Sequence, residues 1–277
     1  MQILITNDDG IHSPGLKILA ETLVQLGDVT VVAPSQEQSG VSHALTYRTP
    51  LFAQKVNWKN GITAWSVAGT PADCVRIGML NLMETRPELV VSGINHGLNL
   101  GINTVYSGTI AGAEEGALLG AVGAAVSLEY AADPPWKAAS EVTADLLKKL
   151  INYHKSESVF FNINIPLKAC EPDEPRNVRV TSADVVPYLS DYEDRVSPGG
   201  SHYYWFLSGK SHRNPLAGTD RDAFQKGFVT ITPLDYNRTK ESELESLENW
   251  FSRKEFEPEK ASPPLLFQKK DLFADGT

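Results

Sequence analysis

Over the first 170 residues, short apolar runs alternate with longer stretches in which apolar residues recur every three or four positions. The runs at 3–5, 28–34, 88–92, 123–128 and 159–166 each stop abruptly at polar or turn-forming residues, as buried strands do. Between them, Leu16, Leu19, Leu23 and Leu26 line one helical face, and Ala138, Val142, Leu146, Leu147 and Leu150 line another within 134–153. Thr70-Pro71 opens a third helix, with Thr70 as N-cap, Pro71 in the first helical position and Asp73 as a first-turn charge. This helix is expected to run to about residue 84 or 85. A fourth follows Tyr106-Ser107-Gly108-Thr109. Its small residues (Ala111, Gly112, Ala113, Gly116, Ala117) permit close approach to a sheet or ligand. The stretch 45–67 breaks the pattern, with alternating segments flanking Lys59-Asn60-Gly61, and predicts a β-hairpin excursion from the main sheet.

Beyond residue 170 the pattern loosens. Strands are expected at 178–180, 203–206 and 228–232, with Asp220 in a structural turn before the last. Tyr204 and Trp205 are expected to pack a β core or a subunit contact. Leu244, Leu247, Trp250 and Phe251 fall at helical spacing within 241–256, as in an interface helix, and 260–277 reads as a tail. Strand–helix–strand order with short returns implies parallel neighbours and right-handed crossovers. The expected architecture is therefore α/β: a doubly wound, mostly parallel sheet over 1–170, a β-rich region over 171–240, and a C-terminal helix and extended segment over 241–277.

The 277 residues are 42% hydrophobic, enough for a sizeable core, and carry a net charge of −9 with no Lys/Arg run longer than two. Duplex nucleic acid as the main partner is excluded by the lack of clustered positive charge. Cys74 and Cys170 cannot form a disulfide framework. The most apolar stretch, 111–128, holds Glu114, Glu115 and many glycines, so no membrane span is expected. Met1 leads straight into a strand. With no signal segment read there, the expected location is the cytosol.

Three of the strands end in polar loops: Asn7-Asp8-Asp9-Gly10, residues 35–42, and residues 92–103. Loops at the carboxyl edge of a parallel sheet converge on ligands. Asp8 and Asp9 are adjacent carboxylates, which repel unless a cation or proton offsets them. Either they hold a metal, or one caps the helix while the other faces water. Asn7 fits a turn-ordering role. The three loops together form an all-oxygen set suited to Mg²⁺ or Mn²⁺, while His12, His43 and His96 keep Zn²⁺ open. His43 and His96 read either as solvated loop residues or as proton-transfer groups. Asn99 and Asn103 either shape their loop or reach a substrate. Ser107-Gly108-Thr109 at a helix start is an anion site or an ordinary cap. Metal beside an anion site points to phosphate-ester hydrolysis, by activated water or by an attacking Asp.

Asn7-Asp-Asp-Gly10, Ala33-Pro34 with Ser39-Gly40, Gly69-Thr-Pro-Ala-Asp-Cys-Val75, Ser92-Gly-Ile-Asn-x-Gly-x-Asn-x-Gly101 and Tyr106-Ser-Gly-Thr109 resemble the SurE family of survival proteins, which act as 5′/3′-nucleotidases. Asn162-x-Asn-x-Pro166, Tyr203-Tyr-Trp205, Thr219-Asp220 with Ala223 and Gly227, and Thr232-Pro-Leu234 extend the likeness over about residues 1–235. The resemblance implies a Rossmann-like fold and one divalent metal ion per subunit, held by Asp8, Asp9, Ser39 and Asn95. Phosphate would lie beside Asn95, Ser107, Gly108 and Thr109. The substrates would be nucleoside 5′- and 3′-monophosphates, hydrolysed by metal-activated water with Asp8 and Asp9 as catalytic residues, Asp8 orienting or deprotonating the water. It also implies a homodimer or homotetramer, and in some members action on polyphosphate or RNA ends. The alternatives are a nucleotide-sensing module without turnover and an Asp-nucleophile phosphatase. Ser197-Pro-Gly-Gly-Ser201 stands where relatives often carry a basic stretch, and the chain beyond about 240 is longer than in a typical member.

Overall fold

The computed structural model describes residues 1–58, 61–153, 159–172, 174, 176–186, 191–207 and 214–252. It comprises two compact units, Met1–Asn237 and Arg238–Thr277. In the first unit the elements run β1 (Gln2–Thr6), α1 (Pro14–Leu23), β2 (Asp28–Pro34), β3 (Ala53–Asn57), β4 (Thr63–Val67), α2 (Pro71–Ile77), β5 (Leu89–His96), α3 (Gly108–Leu118), β6 (Val122–Leu128), α4 (Trp136–Leu150), β7 (Val159–Ile165), β8 (Val178–Val180), β9 (Asp191–Val196), β10 (His202–Leu207), α5 (Asp220–Gln225) and β11 (Val229–Asp235). In the second unit, α6 (Leu244–Phe251) forms where the spacing of Leu244, Leu247, Trp250 and Phe251 predicts a helix. The tail at 260–277 lies outside the described residues.

Nine strands form one sheet in the order β3-β4-β2-β1-β5-β6-β7-β11-β8. The six from β4 to β7 are mutually parallel, β3 and β11 run antiparallel to their neighbours β4 and β7, and β8 is parallel to β11. Ile3, Leu4 and Ile5 are all fully buried, because helices cover both faces of β1. Ile3 and Ile5 pack with Leu16, Leu19 and Leu23 of α1 and Val142 and Leu147 of α4. Leu4 packs on the opposite side with Val32, Cys74 and Val75. This is the expected doubly wound α/β fold.

Four expectations are corrected. The stretch 45–67 is not an excursion: β4 pairs in parallel with β2 from Thr30↔Thr63 to Pro34↔Val67, so the β3–β4 hairpin extends the main sheet and buries Ala64 and Val67. The helix from Pro71 stops at Ile77 and gives way to a wider π turn, Gly78–Leu82, closed by Met83 N–H donating to Gly78 O at 3.0 Å. A β-carbon at Gly78 would lie 2.6 Å from Leu4 Cδ1, so glycine lets this turn sit on the sheet without displacing that side chain. The strand predicted at 88–92 continues to His96, because pairing with β6 resumes after a register shift at Asn95↔Ser127. Asp220 opens α5 rather than a turn.

β1 sits at the point where strand order reverses, with β2 on one side and β5 on the other. A crevice forms at the carboxyl ends of the strands at such a switch point. The small residues of α3 decide how close that helix comes. A β-carbon at Gly112 would lie 2.8 Å from both Ser92 Oγ and Thr6 Cγ2, and one at Gly116 would lie 2.5 Å from Val90 Cβ. The start of α3 therefore lies against the end of β1.

Candidate active site

Immediately after β1, the buried side chain of Asn7 orders the turn. Its Nδ2 donates to Gly10 O and its Oδ1 accepts from Gly10 N–H, both at 3.2 Å. Gly10 has φ +97°, a conformation L side chains rarely adopt. The turn presents Asp8 and Asp9 to a cleft of about 990 Å³, at the upper end of the size range for small-molecule sites. Ser39, Asn95 and Ser107 line the same cleft, so three loops far apart in sequence converge as expected.

Asp8 is 4% exposed, and its Oδ1 accepts a 2.6 Å hydrogen bond from Thr109 Oγ1. Burial raises its pKa above the ordinary carboxylate range, and bonds from the Thr109 side chain and backbone only partly offset this. The pKa of Asp9 is pushed up to about 6, first by burial and then by the negative charges of Asp8 and Glu37. Ser107 caps α3, its side chain accepting from Ile110 N–H at 3.2 Å. A β-carbon at Gly108 would lie 3.0 Å from Asp8 Cβ, so glycine here lets the helix start meet the carboxylate. Gly108 and Thr109 thus pack behind Asp8, while Ser107 faces the cleft. Asn95 donates from Nδ2 to Gly97 O at 2.8 Å, which leaves Oδ1 as the end available to a cation. Ser39 Oγ donates to Glu37 Oε1 at 2.7 Å.

The donor set fits a hard divalent cation. Carboxylate, hydroxyl and carboxamide oxygens meet in one cleft, and no Lys or Arg is among its described lining residues. Buried Asp8 and half-buried Asp9 stand side by side at raised pKa, and a bound cation would relieve their repulsion. Among the described residues no three His, Cys, Asp or Glu side chains form a metal cluster, so an ion here would rest on the Asp pair together with uncharged oxygens.

The histidines have other partners. His43 Nδ1 lies 3.1 Å from Glu114 Oε2 and its Nε2 lies 2.8 Å from Glu115 Oε2, while Arg76 pairs with Glu115 at 2.7 Å. His43 therefore bridges the Ser39 loop to α3. His96 Nε2 lies 2.9 Å from Ala131 O, and its ring stacks on Tyr130 with centroids 4.5 Å apart. Asn99 shapes its loop, donating from Nδ2 to Ser127 Oγ and from N–H to Asn164 Oδ1, both at 2.9 Å, yet it also borders the cleft with Asn103. Sequence reasoning missed Glu37, a third carboxylate in the cleft, and Tyr192 and Phe206, which come from a separate hairpin. Glu37 was open to discovery as an acid in the Ser39 loop; nothing in the local sequence signalled the other two.

The family model for survival protein SurE matches residues 3–188. The chain belongs to the SurE family. Among SurE relatives, the 5′-nucleotidase SurE of Rhodopirellula baltica is 42% identical over 251 residues, covering 90% of this chain and 98% of that protein. The 5′-nucleotidase SurE of Pelobacter propionicus is 39% identical over 90% of this chain and 99% of its own length. The crystal structure of the SurE protein from Aquifex aeolicus superposes with a TM-score of 0.78 at 35% identity, covering 91% of this chain and all of that one. Among the described residues, no helix of this SurE protein is long and apolar enough to cross a membrane.

Proposed function

We propose that this chain is a metal-dependent phosphomonoesterase that hydrolyses nucleoside 5′- and 3′-monophosphates to nucleoside and phosphate. The observation that carries the reading is buried Asp8 and half-buried Asp9 side by side at the switch point, beside the start of α3. Its setting in a chain 42% identical to a 5′-nucleotidase names the substrate class. Asp8, Asp9, Ser39 and Asn95 would hold one divalent ion per subunit, Mg²⁺ or Mn²⁺ by the hardness of their oxygens. Such an ion supplies Lewis acidity, polarising a phosphoryl oxygen and acidifying nearby water.

The side chains supply position. Thr109 commits Asp8 Oδ1, which leaves Oδ2 as the oxygen that would hold the ion. Ser107 and Asn95 would frame the phosphate, and Gly108 and Thr109, packed behind Asp8, would act on it through that carboxylate. The start of α3 contributes about 0.3–1 kcal/mol of attraction for an anion, up to about 2 when partly buried, so the cation carries the larger share of charge stabilisation. The reading extends to a homodimer or homotetramer in the cytosol, the former supported by exposed Tyr203, Tyr204 and Trp205 on β10.

The test is phosphate release from a panel of nucleoside monophosphates, using metal-stripped protein with Mg²⁺, Mn²⁺ or Zn²⁺ restored singly. Release that returns with metal and falls at least about 100-fold in Asp8→Asn is expected. Nucleotide bound by folded protein and recovered intact with every metal would make the chain a sensing module instead.

A further inference from the structure

We propose that Tyr192 and Phe206, with Tyr106, form the nucleobase subsite of this cleft, an assignment that rests on the nucleotidase reading. The hairpin β9–β10 places Phe206 directly across from Tyr192, on one face of the ribbon. Their rings meet edge to face with centroids 5.6 Å apart. Both line the cleft that holds Asp8 and Ser107, as does Tyr106. Depth sorts these residues. Asp8 and Ser107 are buried, whereas Tyr106, Tyr192 and Phe206 are 63%, 59% and 60% exposed. A nucleotide that sets its phosphate on the buried floor must carry its base outward by the length of a ribose, toward the aromatic mouth.

The chemistry of the mouth matches a base rather than a second charged group. Among the described residues no Lys or Arg lines the cleft, so these offer no cation to a further anion. A flat, neutral heterocycle gains from stacking on aromatic faces regardless of its sequence of ring substituents. The geometry predicts broad base tolerance, because stacking reads ring area more than hydrogen-bond pattern.

The test compares adenosine 5′-monophosphate with ribose 5-phosphate, which keeps the phosphate and sugar but has no base, on full-length metal-loaded protein. Wild type is expected to prefer the nucleotide by about 5- to 100-fold in kcat/KM, the range that stacking of one base produces. Phe206→Ala and Tyr192→Ala should each erode that preference, chiefly through KM, and leave ribose 5-phosphate turnover within about twofold. Phe206→Trp should restore it. Ribose 5-phosphate turnover also reports that each variant is folded. Equal wild-type turnover of both substrates, or a parallel loss of both in the variants, overturns the subsite while the phosphatase reading stands. Hydrolysis of neither by wild type overturns that reading, and the subsite with it.

Discussion

Replacing His43 by Gln should weaken the protein in a way that disappears at alkaline pH. His43 bridges two carboxylates, Glu114 and Glu115, that α3 holds almost out of water. Arg76 is the other charged partner of that cluster, on Glu115. Hydrogen bonds donated by the ring to Glu114 and then Glu115 raise the His43 pKa from 6.5 to about 9, against the opposing effect of burial. A group whose folded pKa lies above its unfolded value stabilises fully below the unfolded value, here pH 6.5, and loses that contribution as pH rises toward 9. At about 1.36 kcal/mol per pH unit the bracket contributes about 3 kcal/mol below pH 6.5. The ring is 18% exposed and partly screened, which brings the expectation to about 2 kcal/mol. For a chain of this size that corresponds to a fall in Tm of about 4–8 °C. Thermal unfolding of wild type and His43→Gln, compared at pH 6 and again at pH 10, should show that gap at pH 6 and less than about a quarter of it at pH 10. Gln keeps a hydrogen-bonding group without the charge. An equal deficit at both pH values would refute the electrostatic argument and reduce His43 to a packing residue.

Gly108→Ala should lower kcat by about tenfold with little change in Tm. The new β-carbon, 3.0 Å from Asp8 Cβ and 3.3 Å from both Asp8 Oδ2 and Gln38 O, displaces the carboxylate, whereas alanine favours the helix; unchanged kinetics would contradict the role given to Gly108. Asp220→Asn should cost about 1–3 kcal/mol and raise KM. The Asp220 carboxylate accepts N–H bonds from Gly101 at 2.7 Å, Asp184 at 2.9 Å and Arg221 at 2.8 Å, and an amide NH₂ would face one of these donors. Urea unfolding and steady-state kinetics read the two effects, and a fully stable variant would show that this anchor is dispensable. Leu19→Ala, in the fully buried interface of α1 with the sheet, should lose about 2–5 kcal/mol and leave KM unchanged; a raised KM would tie the core to the cleft directly.

Much of the chain was legible because its signals are local. Polar loops closing apolar runs marked the carboxyl edge of the sheet, and the adjacent charges of Asp8 and Asp9 mark a liability that needs a partner wherever they fold. Thr70-Pro71 marked the N-cap, and the structure adds a reciprocal capping box, with Asp73 Oδ2 accepting from Thr70 N–H at 3.0 Å and Thr70 Oγ1 from Asp73 N–H at 3.1 Å. The small residues of α3 announced close packing, and Gly112 and Gly116 provide it.

Where the segments pair was not local, and tertiary structure alone decided it. The sequence of 45–67 specifies a hairpin, but only the free edge of β2 turns it into part of the main sheet. His43 reads as a solvated loop histidine until α3 brings Glu114 and Glu115 against it, 71 and 72 positions along the chain. Asp220 reads as a turn residue until Gly101, 119 positions away, donates to it. Tyr192 carries no pattern of its own, since it stands among the charges of β9; register across the ribbon pairs it with Phe206, and the fold places both in the cleft of Asp8. Hydrophobic period and capping are set by neighbours within a few residues. Ion pairing, burial and cleft shape depend on contacts that no short window of sequence contains.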